Sequence, residues 1–153
     1  MSRNKSADTQ RDMLSAAGYE ALAAFRYRLR RYLAFTEEVA RSVGLTSQQH
    51  QALLAIRARS FSGPITIGDL AAEMMVRHHS AVELVGRLEK AGLTTRTNDP
   101  DDRRKVLVSL TAKGERVLAR LSARNLKELR AIGPDLPELL DQLRAGAPPR
   151  RPR

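Results

Sequence analysis

The sequence predicts a mainly α-helical protein built around a winged helix-turn-helix. Three observations lead to this fold class. Hydrophobic residues recur at helical spacing through most of the 153 residues. A short predicted helix is followed by a turn and a second helix, which is the order of a helix-turn-helix. The only region typical of β-strands comes directly after that second helix, where a hairpin would form the wing.

The first predicted helix covers residues 14–43. The apolar residues on one side of it are spaced by alternating steps of three and four: Leu22, Phe25, Leu29, Tyr32, Thr36, Val39 and Val43. A helix of about 30 residues is about 45 Å long, which exceeds the diameter expected for a chain of this size. Part of this apolar side therefore lacks a partner within the chain, and a second subunit would supply one.

Residues typical of helix starts and ends divide the rest of the chain. Gly44 ends the first helix, and Thr46 with Gln49 has the form of a capping box for the second. Residues 60–64, which include Gly and Pro, interrupt that second helix. The remaining predicted elements are a short helix over 66–74 capped by Thr66, a helix over about 80–90 closed by Gly92, strands over 93–97 and 106–110, a helix capped by Thr111, and a last helical segment after Gly133.

Composition narrows the function. The chain carries 27 Lys and Arg against 17 Asp and Glu, a net charge of +10, which favours a polyanionic partner such as nucleic acid over a neutral one. A merely solvated basic surface is the alternative. The chain has no cysteine, which excludes disulfides, thiol nucleophiles and thiol-based sensing. No apolar run is long enough for a membrane span, and we expect a cytoplasmic protein.

The predicted helix after the turn has two different faces. At 100° per residue, one side carries its large apolar residues: Ala81, Leu84, Val85 and Leu88. The other side carries Gly86 and polar residues: His79, Glu83, Arg87 and Lys90. A helix with one small, hydrogen-bonding face is suited to the major groove of DNA. An ordinary amphipathic surface helix would show the same periodicity, so this helix alone leaves both interpretations open.

The predicted hairpin tip favours the DNA interpretation. Arg103, Arg104 and Lys105 follow an Asp-rich turn. Arginines on a projecting loop can enter a minor groove, and a neighbouring carboxylate can hold a guanidinium in place. A charged loop that only improves solubility is the alternative.

Two stretches of the chain resemble the MarR family of transcriptional regulators. Residues 99–114 (DPDDRRKVLVSLTAKG) are similar to that family's wing and to the Leu-Thr-x-x-Gly that opens its next helix. Residues 87–93 (RLEKAGL) are similar to the end of its recognition helix. The resemblance covers residues 14–143, and it implies that Asp102 and Arg104 occupy the paired wing positions.

The resemblance also implies partners and domains. Family members are homodimers in which each subunit presents a winged helix to half of a pseudo-palindromic operator, and many bind a small phenolic or aromatic effector that lowers DNA affinity. We expect a single domain over 14–145, with dimerisation helices over 14–43 and 112–145 and a DNA-binding core over 46–111. Residues 1–13 are expected to be a flexible N-terminus, and the Pro- and Arg-rich residues 146–153 a disordered tail.

The predicted function is therefore a dimeric, sequence-specific DNA-binding regulator, interpreted as a repressor. The alternatives are a winged-helix protein-interaction module and a non-specific DNA-binding protein without an effector. The candidate DNA-binding residues are Thr66, Arg77, His78, His79, Ser80, Glu83, Arg87, Asp102, Arg103, Arg104 and Lys105. Among them, we expect His79, Ser80 and Glu83 to read base edges.

Other chemistries find little support in the sequence. No phosphate-binding loop or catalytic motif is present, so neither an enzyme nor a cofactor is expected. Of the three histidines, His78 and His79 are adjacent, and on a helix their side chains diverge by about 100°, which argues against a shared metal ion. His50 is expected to pack rather than to line an effector cleft.

Overall fold

The computed structural model describes residues 14–145, and this part of the chain forms six helices and three short strands. In chain order these are α1 (Ala16–Arg41), α2 (Ser47–Arg59), β1 (Ile65–Thr66), α3 (Ile67–Glu73), α4 (His78–Lys90), β2 (Thr94–Asn98), β3 (Val106–Leu110), α5 (Ala112–Ile132) and α6 (Leu136–Ala145). The predicted mainly α-helical, winged helix-turn-helix fold is confirmed. The expected flexible N-terminus (1–13) and disordered tail (146–153) lie outside the described residues.

Two threonines start helices as predicted. The Thr46 hydroxyl accepts a hydrogen bond from the Gln49 amide at 3.2 Å, and the Gln49 side chain accepts one from the Thr46 amide at 2.9 Å. Thr66 and Asp69 form the same reciprocal pair at the start of α3. A threonine cap of this kind stabilises a helix by about 1 kcal/mol. The capping boxes therefore fix where α2 and α3 begin.

A third strand corrects the prediction that the hairpin is the only strand-forming region. β1 pairs with β3, with Ile65 opposite Val108, so the antiparallel sheet has the order β1-β3-β2. A two-residue strand is too short to show alternation, and its partner lies far along the chain, so no local pattern indicates it. β1 ties the start of α3 to the wing.

Several element boundaries also differ from the prediction. α1 covers Ala16–Arg41 rather than 14–43, and α3 covers Ile67–Glu73 rather than 66–74. α4 begins at His78 rather than at Ser80, and its N-cap is Arg77, whose side chain makes no capping hydrogen bond. The predicted start at Ser80 was therefore wrong, although serine is a residue typical of N-caps. β2 begins at Thr94 rather than at residue 93, because Leu93 still belongs to the turn that closes α4.

Contacts divide the described chain into two compact units, one of residues 14–35 and 127–145 and one of residues 36–126. The larger unit holds the helix-turn-helix and the sheet. Its core side chains are less than 2% exposed: Leu53, Ile56, Ile65, Leu70, Val85, Leu88 and Val108. They come from α2, α3, α4, β1 and β3, so the helix-turn-helix and the sheet share one core.

The smaller unit leaves much of its apolar surface open. Ala21 and Leu139 are buried, and the Arg28 guanidinium donates a hydrogen bond to Asp135. Large apolar side chains nevertheless remain exposed: Tyr19, Leu22, Tyr27, Leu29, Leu129 and Leu140. No helix in residues 14–145 combines the length and the apolar character needed to cross a membrane.

A buried polar pair lies in the larger unit. The side chains of His50 and Asn125 are 6% and 7% exposed, and their nitrogens Nε2 and Nδ2 are 3.4 Å apart. Burial lowers the pKa of His50, which favours the neutral ring. His50 is therefore packed in the core, in agreement with the expectation from the sequence.

The junction between α4, the sheet and α5 is built on Thr111 and Gly114. The Thr111 hydroxyl donates to the Gly92 carbonyl at 2.6 Å and accepts from the Gly114 amide at 3.0 Å. A Cβ at Gly114 would lie 2.1 Å from the Leu93 carbonyl oxygen, a distance that no real contact allows. The Leu-Thr-x-x-Gly pattern thus has a structural reason, because only glycine fits where α5 meets this turn.

We predict that Gly114→Ala destabilises the protein by about 1–3 kcal/mol, because the methyl group must displace backbone. Urea or thermal denaturation measures the loss. Gly68→Ala is the matched control, since the nearest atom to its Cβ would be 3.7 Å away, and alanine is the better helix former there. Equal stability of Gly114→Ala and the parent protein would contradict the packing described for this junction.

Candidate nucleic-acid interface

α4 separates its apolar and polar residues as predicted. Its inner face is fully packed by Ala81, Leu84, Val85 and Leu88, each at most 4% exposed. The opposite side is exposed and polar: His79, Glu83, Arg87 and Lys90. Because the inner face is anchored in the core, the polar side chains project from a rigid support.

The start of α4 is open and electropositive. Arg77, His78 and His79 are exposed, and Ser80 is half-buried. Since Arg77 provides no side-chain cap, the first amide groups of the helix have no capping side-chain acceptor. The helix dipole and the Arg77 charge both favour an anion at this end. This is the geometry in which a helix end meets a phosphate.

Glu83 and Arg87 lie one turn apart on the exposed side of α4. The Arg87 guanidinium is 3.9 Å from the Glu83 carboxylate, and both side chains are more than 60% exposed. Such a pair contributes about 0.3–0.5 kcal/mol. Both groups are therefore easily released from each other to bind a ligand.

Thr66 serves first as the N-cap of α3. Its hydroxyl donates to the Asp69 carboxylate at 2.7 Å and accepts from the Asp69 amide at 3.0 Å. The hydrogen bonds that the Thr66 hydroxyl and the Thr66 amide donate to the Asp69 carboxylate lower the pKa of Asp69. The hydroxyl therefore donates and accepts within the helix cap. A contact of Thr66 with DNA stays a prediction.

The wing tip is a tight turn organised by two aspartates. The Asp99 carboxylate accepts from the amides of Asp101 and Asp102 at 2.8 and 3.3 Å. The Asp102 carboxylate in turn accepts from Arg104 Nε at 3.1 Å, and these Arg104 hydrogen bonds lower the pKa of Asp102. The paired wing positions implied by the resemblance are therefore in contact.

The cations of the wing point away from the protein core. The side chain of Arg104 is 91% exposed even though Asp102 holds it, and Arg103 and Lys105 are exposed as well. An arginine that is oriented in advance loses less conformational entropy when it binds a carboxylate or phosphate. The wing thus presents three cations, one of them oriented by a carboxylate.

Two features near this surface were not predicted from the sequence. Met75, in the turn between α3 and α4, has a φ of +53° and is 92% exposed. A positive φ usually calls for glycine, and no glycine is present there to indicate it. The second feature is an ion pair between Arg96 on β2 and Glu89 on α4. These residues lie on opposite sides of a turn, where helical spacing rules do not apply.

The described residues contain no group of three or more His, Asp or Glu side chains that could hold a metal ion. His78 and His79 occupy the first two positions of α4, and both are exposed.

Comparisons with known proteins show which family this surface resembles. A model of the MarR family matches residues 43–105, which include the helix-turn-helix and the wing tip. The transcriptional activatory protein BadR of Rhodopseudomonas palustris is 36% identical over 74 residues, which are 48% of this chain and 42% of BadR. Over residues 43–105 the chain is similar to the MarR family. It spans about half the length of the curated relatives that it matches.

Solved MarR-family structures share the fold. AbsC of Streptomyces coelicolor superposes with a TM-score of 0.69 at 24% identity, over 87% of this chain and 90% of AbsC. A mutant of MarR from E. coli in complex with operator DNA superposes with a TM-score of 0.60 at 22% identity, over 71% of this chain and 75% of MarR. At these identities the likeness establishes the fold.

We predict that Asp102→Asn increases the motion of the Arg104 side chain, because an uncharged amide holds a guanidinium less firmly. In the parent protein, the same loosening is expected only as the pH falls through the lowered pKa of Asp102, where the carboxylate takes up a proton. Nuclear spin relaxation of Arg104 Nε measures both effects. Asp101→Asn is the control, since Asp101 is exposed and only its backbone amide is bonded within the turn. Unchanged Arg104 motion in Asp102→Asn would contradict the pairing.

Proposed function

We propose that this protein is a member of the MarR family and a sequence-specific DNA-binding transcriptional regulator. The observation that carries the proposal is the exposed polar face of α4 with its electropositive start, together with the cationic wing that follows this helix in the chain. The major groove of B-DNA is about 12 Å wide and admits one helix. The wing arginines suit the adjacent minor groove, where the potential is strongly negative.

The candidate residues divide by position. His79, Ser80 and Glu83 lie on the first two turns of α4, which enter the groove first, so we assign them to base edges. Arg77 and His78 flank the helix start and are assigned to phosphates, as are Arg103, Arg104 and Lys105 of the wing. Arg87 lies further along α4 and can reach either.

Genomic footprinting with the purified protein tests this function. We expect discrete protected sites that share a pseudo-palindromic sequence, with half-sites about one helical turn apart. Uniform affinity for all sequences would instead indicate a non-specific DNA-binding protein. Absence of any DNA affinity at low salt would favour a winged helix used for protein interactions.

Base-reading and phosphate-binding residues are expected to respond differently to substitution. Arg104→Ala should weaken binding to all sequences and reduce the log–log salt slope by about 0.9 for each phosphate that is no longer neutralised. Glu83→Ala should change the preferred base at particular positions, at about 1–3 kcal/mol each. Glu38→Ala, which removes an exposed charge from α1, is the control. Equal effects of Glu83→Ala on every sequence would contradict its assignment to base readout.

We also propose that the protein acts as a homodimer joined through the smaller unit. Two of its exposed leucines, Leu29 and Leu129, line an apolar groove of about 70 Å³. The other residues that line it come from α1, α5 and α6: Phe25, Arg28, Tyr32, Ile132 and Leu136. Apolar surface of this kind is stabilised by burial, at about 25 cal/mol per Å². A second copy would bury it and would place two α4 helices on one operator.

Leu29→Glu is expected to dissociate the dimer, because it places a charge in the apolar contact, while the monomer fold persists since Leu29 is 45% exposed. Sedimentation at micromolar concentration measures the change. Ala34→Glu is the matched control, as this exposed residue lies about 140° around α1 from Leu29. A stable monomeric parent protein would contradict the dimer.

We propose repression as the mode of regulation, relieved by a small aromatic effector. The proposal rests on the family resemblance. The apolar groove of about 70 Å³ is roughly half of the ~150 Å³ that accommodates a benzene, so we do not place the effector there. BadR is described as an activatory protein, so a reporter gene behind the footprinted operator is the direct measurement. Reduced expression that an added effector restores would support repression.

A further inference from the structure

Arg96 lies where the wing meets α4. It belongs to β2, and its Nε donates a hydrogen bond to the Glu89 carboxylate of α4 at 2.9 Å. The side chain of Arg96 is 32% exposed and that of Glu89 is 42% exposed. Strand pairing places Arg96 opposite Val108, which is buried in β3. The backbone of Arg96 is therefore fixed by the sheet and its guanidinium by the helix.

Gly86 makes room for this guanidinium. A Cβ at Gly86 would lie 3.2 Å from Arg96 Nη2, and no other atom comes within 4 Å of that position. Any larger side chain at residue 86 would therefore press against the arginine. The absence of a side chain there lets the arginine lie across the surface of α4.

Most hydrogen-bonding groups of Arg96 are unused. A guanidinium has five N–H donors in a planar fork. Only the Nε donor has a side-chain acceptor among residues 14–145, and the terminal groups Nη1 and Nη2 have none. Because the side chain is one-third exposed, these terminal groups are open to a ligand from solvent.

The position of Arg96 indicates which ligand this is. At 100° per residue, Gly86 lies about 60° around α4 from Glu83, and Glu89 lies about 60° further in the same direction. Arg96 therefore borders the polar face rather than occupying its centre. A residue at the border of a recognition helix faces the wall of the groove, which is lined with phosphates.

We propose that Arg96 binds a phosphate of the DNA backbone through its terminal amino groups, with Glu89 as the residue that positions it. This inference rests on the proposed DNA-binding function, and it adds a contact that the sequence did not indicate. The same construction occurs at the wing tip, where Asp102 holds Arg104. The two arginines would then bind the DNA backbone at the base and at the tip of the wing.

Arg96→Gln tests the contact. With the full-length protein, we expect about a tenfold loss of affinity at low salt for operator and unrelated duplexes alike, because a phosphate contact carries no sequence information. The log–log salt slope should fall by about 0.9. A change confined to particular base pairs, or an unchanged salt slope, would overturn the assignment to phosphate.

Arg57→Gln is the matched control. Arg57 pairs with Glu115 across two helices, also through Nε, at 3.1 Å and with similar exposure. Its loss removes the same charge and a similar ion pair, together with a hydrogen bond to Ser60 and a ring contact with Phe61, so the melting temperature of Arg57→Gln should fall by at least as much as that of Arg96→Gln. DNA affinity should fall much more for Arg96→Gln, and equal affinity losses would overturn the proposal.

Gly86→Leu supplies a second test that keeps the Arg96 side chain, and the higher helix propensity of leucine offsets part of the stability lost when the arginine is displaced. It should reduce DNA affinity by about the same factor as Arg96→Gln, since both disrupt the same phosphate contact. The double variant should then lose no more than either single variant. Independent, additive losses would show that residue 86 acts without Arg96 and would overturn the role of the gap.

These measurements separate the inference from the function on which it rests. If the parent protein prefers its operator but Arg96→Gln keeps the full salt slope, only the proposed Arg96 contact is contradicted. If the parent protein binds DNA through phosphates but has no sequence preference, the proposed regulatory function is contradicted and the Arg96 contact is not. A parent protein that binds no duplex at all would overturn both.

Discussion

The Thr111 hydroxyl joins the end of α4 to the start of α5, and the arrangement of the larger unit depends on it. It donates to the Gly92 carbonyl and accepts from the Gly114 amide, while the Thr111 amide bonds to the Leu93 carbonyl. Lys113 adds a further hydrogen bond to the Ala91 carbonyl. Backbone groups left over where α4 ends are thereby satisfied by residues at the start of α5. Since β3 leads directly into this junction, the wing and α4 are held by the same few atoms.

The charges of the proposed interface fall into two classes. Arg96 and Arg104 are each held at Nε by a carboxylate, at 2.9 and 3.1 Å. Arg77, Arg103 and Lys105 are exposed with no carboxylate within ion-pair distance among the described residues. The paired arginines have a fixed side-chain orientation, while the unpaired cations would attract DNA from any direction. The net charge of +10 favours the encounter, and the carboxylates decide the position of selected cations.

Local patterns predicted much of the fold. The hydroxyls of Thr46 and Thr66 cap helices that begin where the capping signals indicate, and Gly44 and Gly92 have the positive φ that their helix-ending positions require. The buried face of α4 follows directly from its periodicity. Each of these depends on residues no more than four or so apart, which is the range that sequence spacing describes.

The features that sequence could not predict depend on contacts between distant segments or on backbone strain. β1 exists because Ile65 meets β3, and the Arg96–Glu89 pair forms because β2 returns past α4. Met75 adopts a left-handed conformation that its side chain does not favour, at a cost of about 1–2 kcal/mol. The Asp102–Arg104 pair was indicated by family resemblance, but its hydrogen bond required the observed turn at Asp99.

The hydrogen bonds that join the end of α4 to the start of α5 also affect how such a protein could acquire new targets. Because Ala91, Gly92 and Leu93 are all bonded to the start of α5, the helix cannot slide or rotate along its axis without breaking that junction. The exposed residues of α4 contribute nothing to this anchorage. Substitutions on the exposed face therefore leave the position of α4 unchanged. The side chains of this face can be replaced one at a time without loss of the fold.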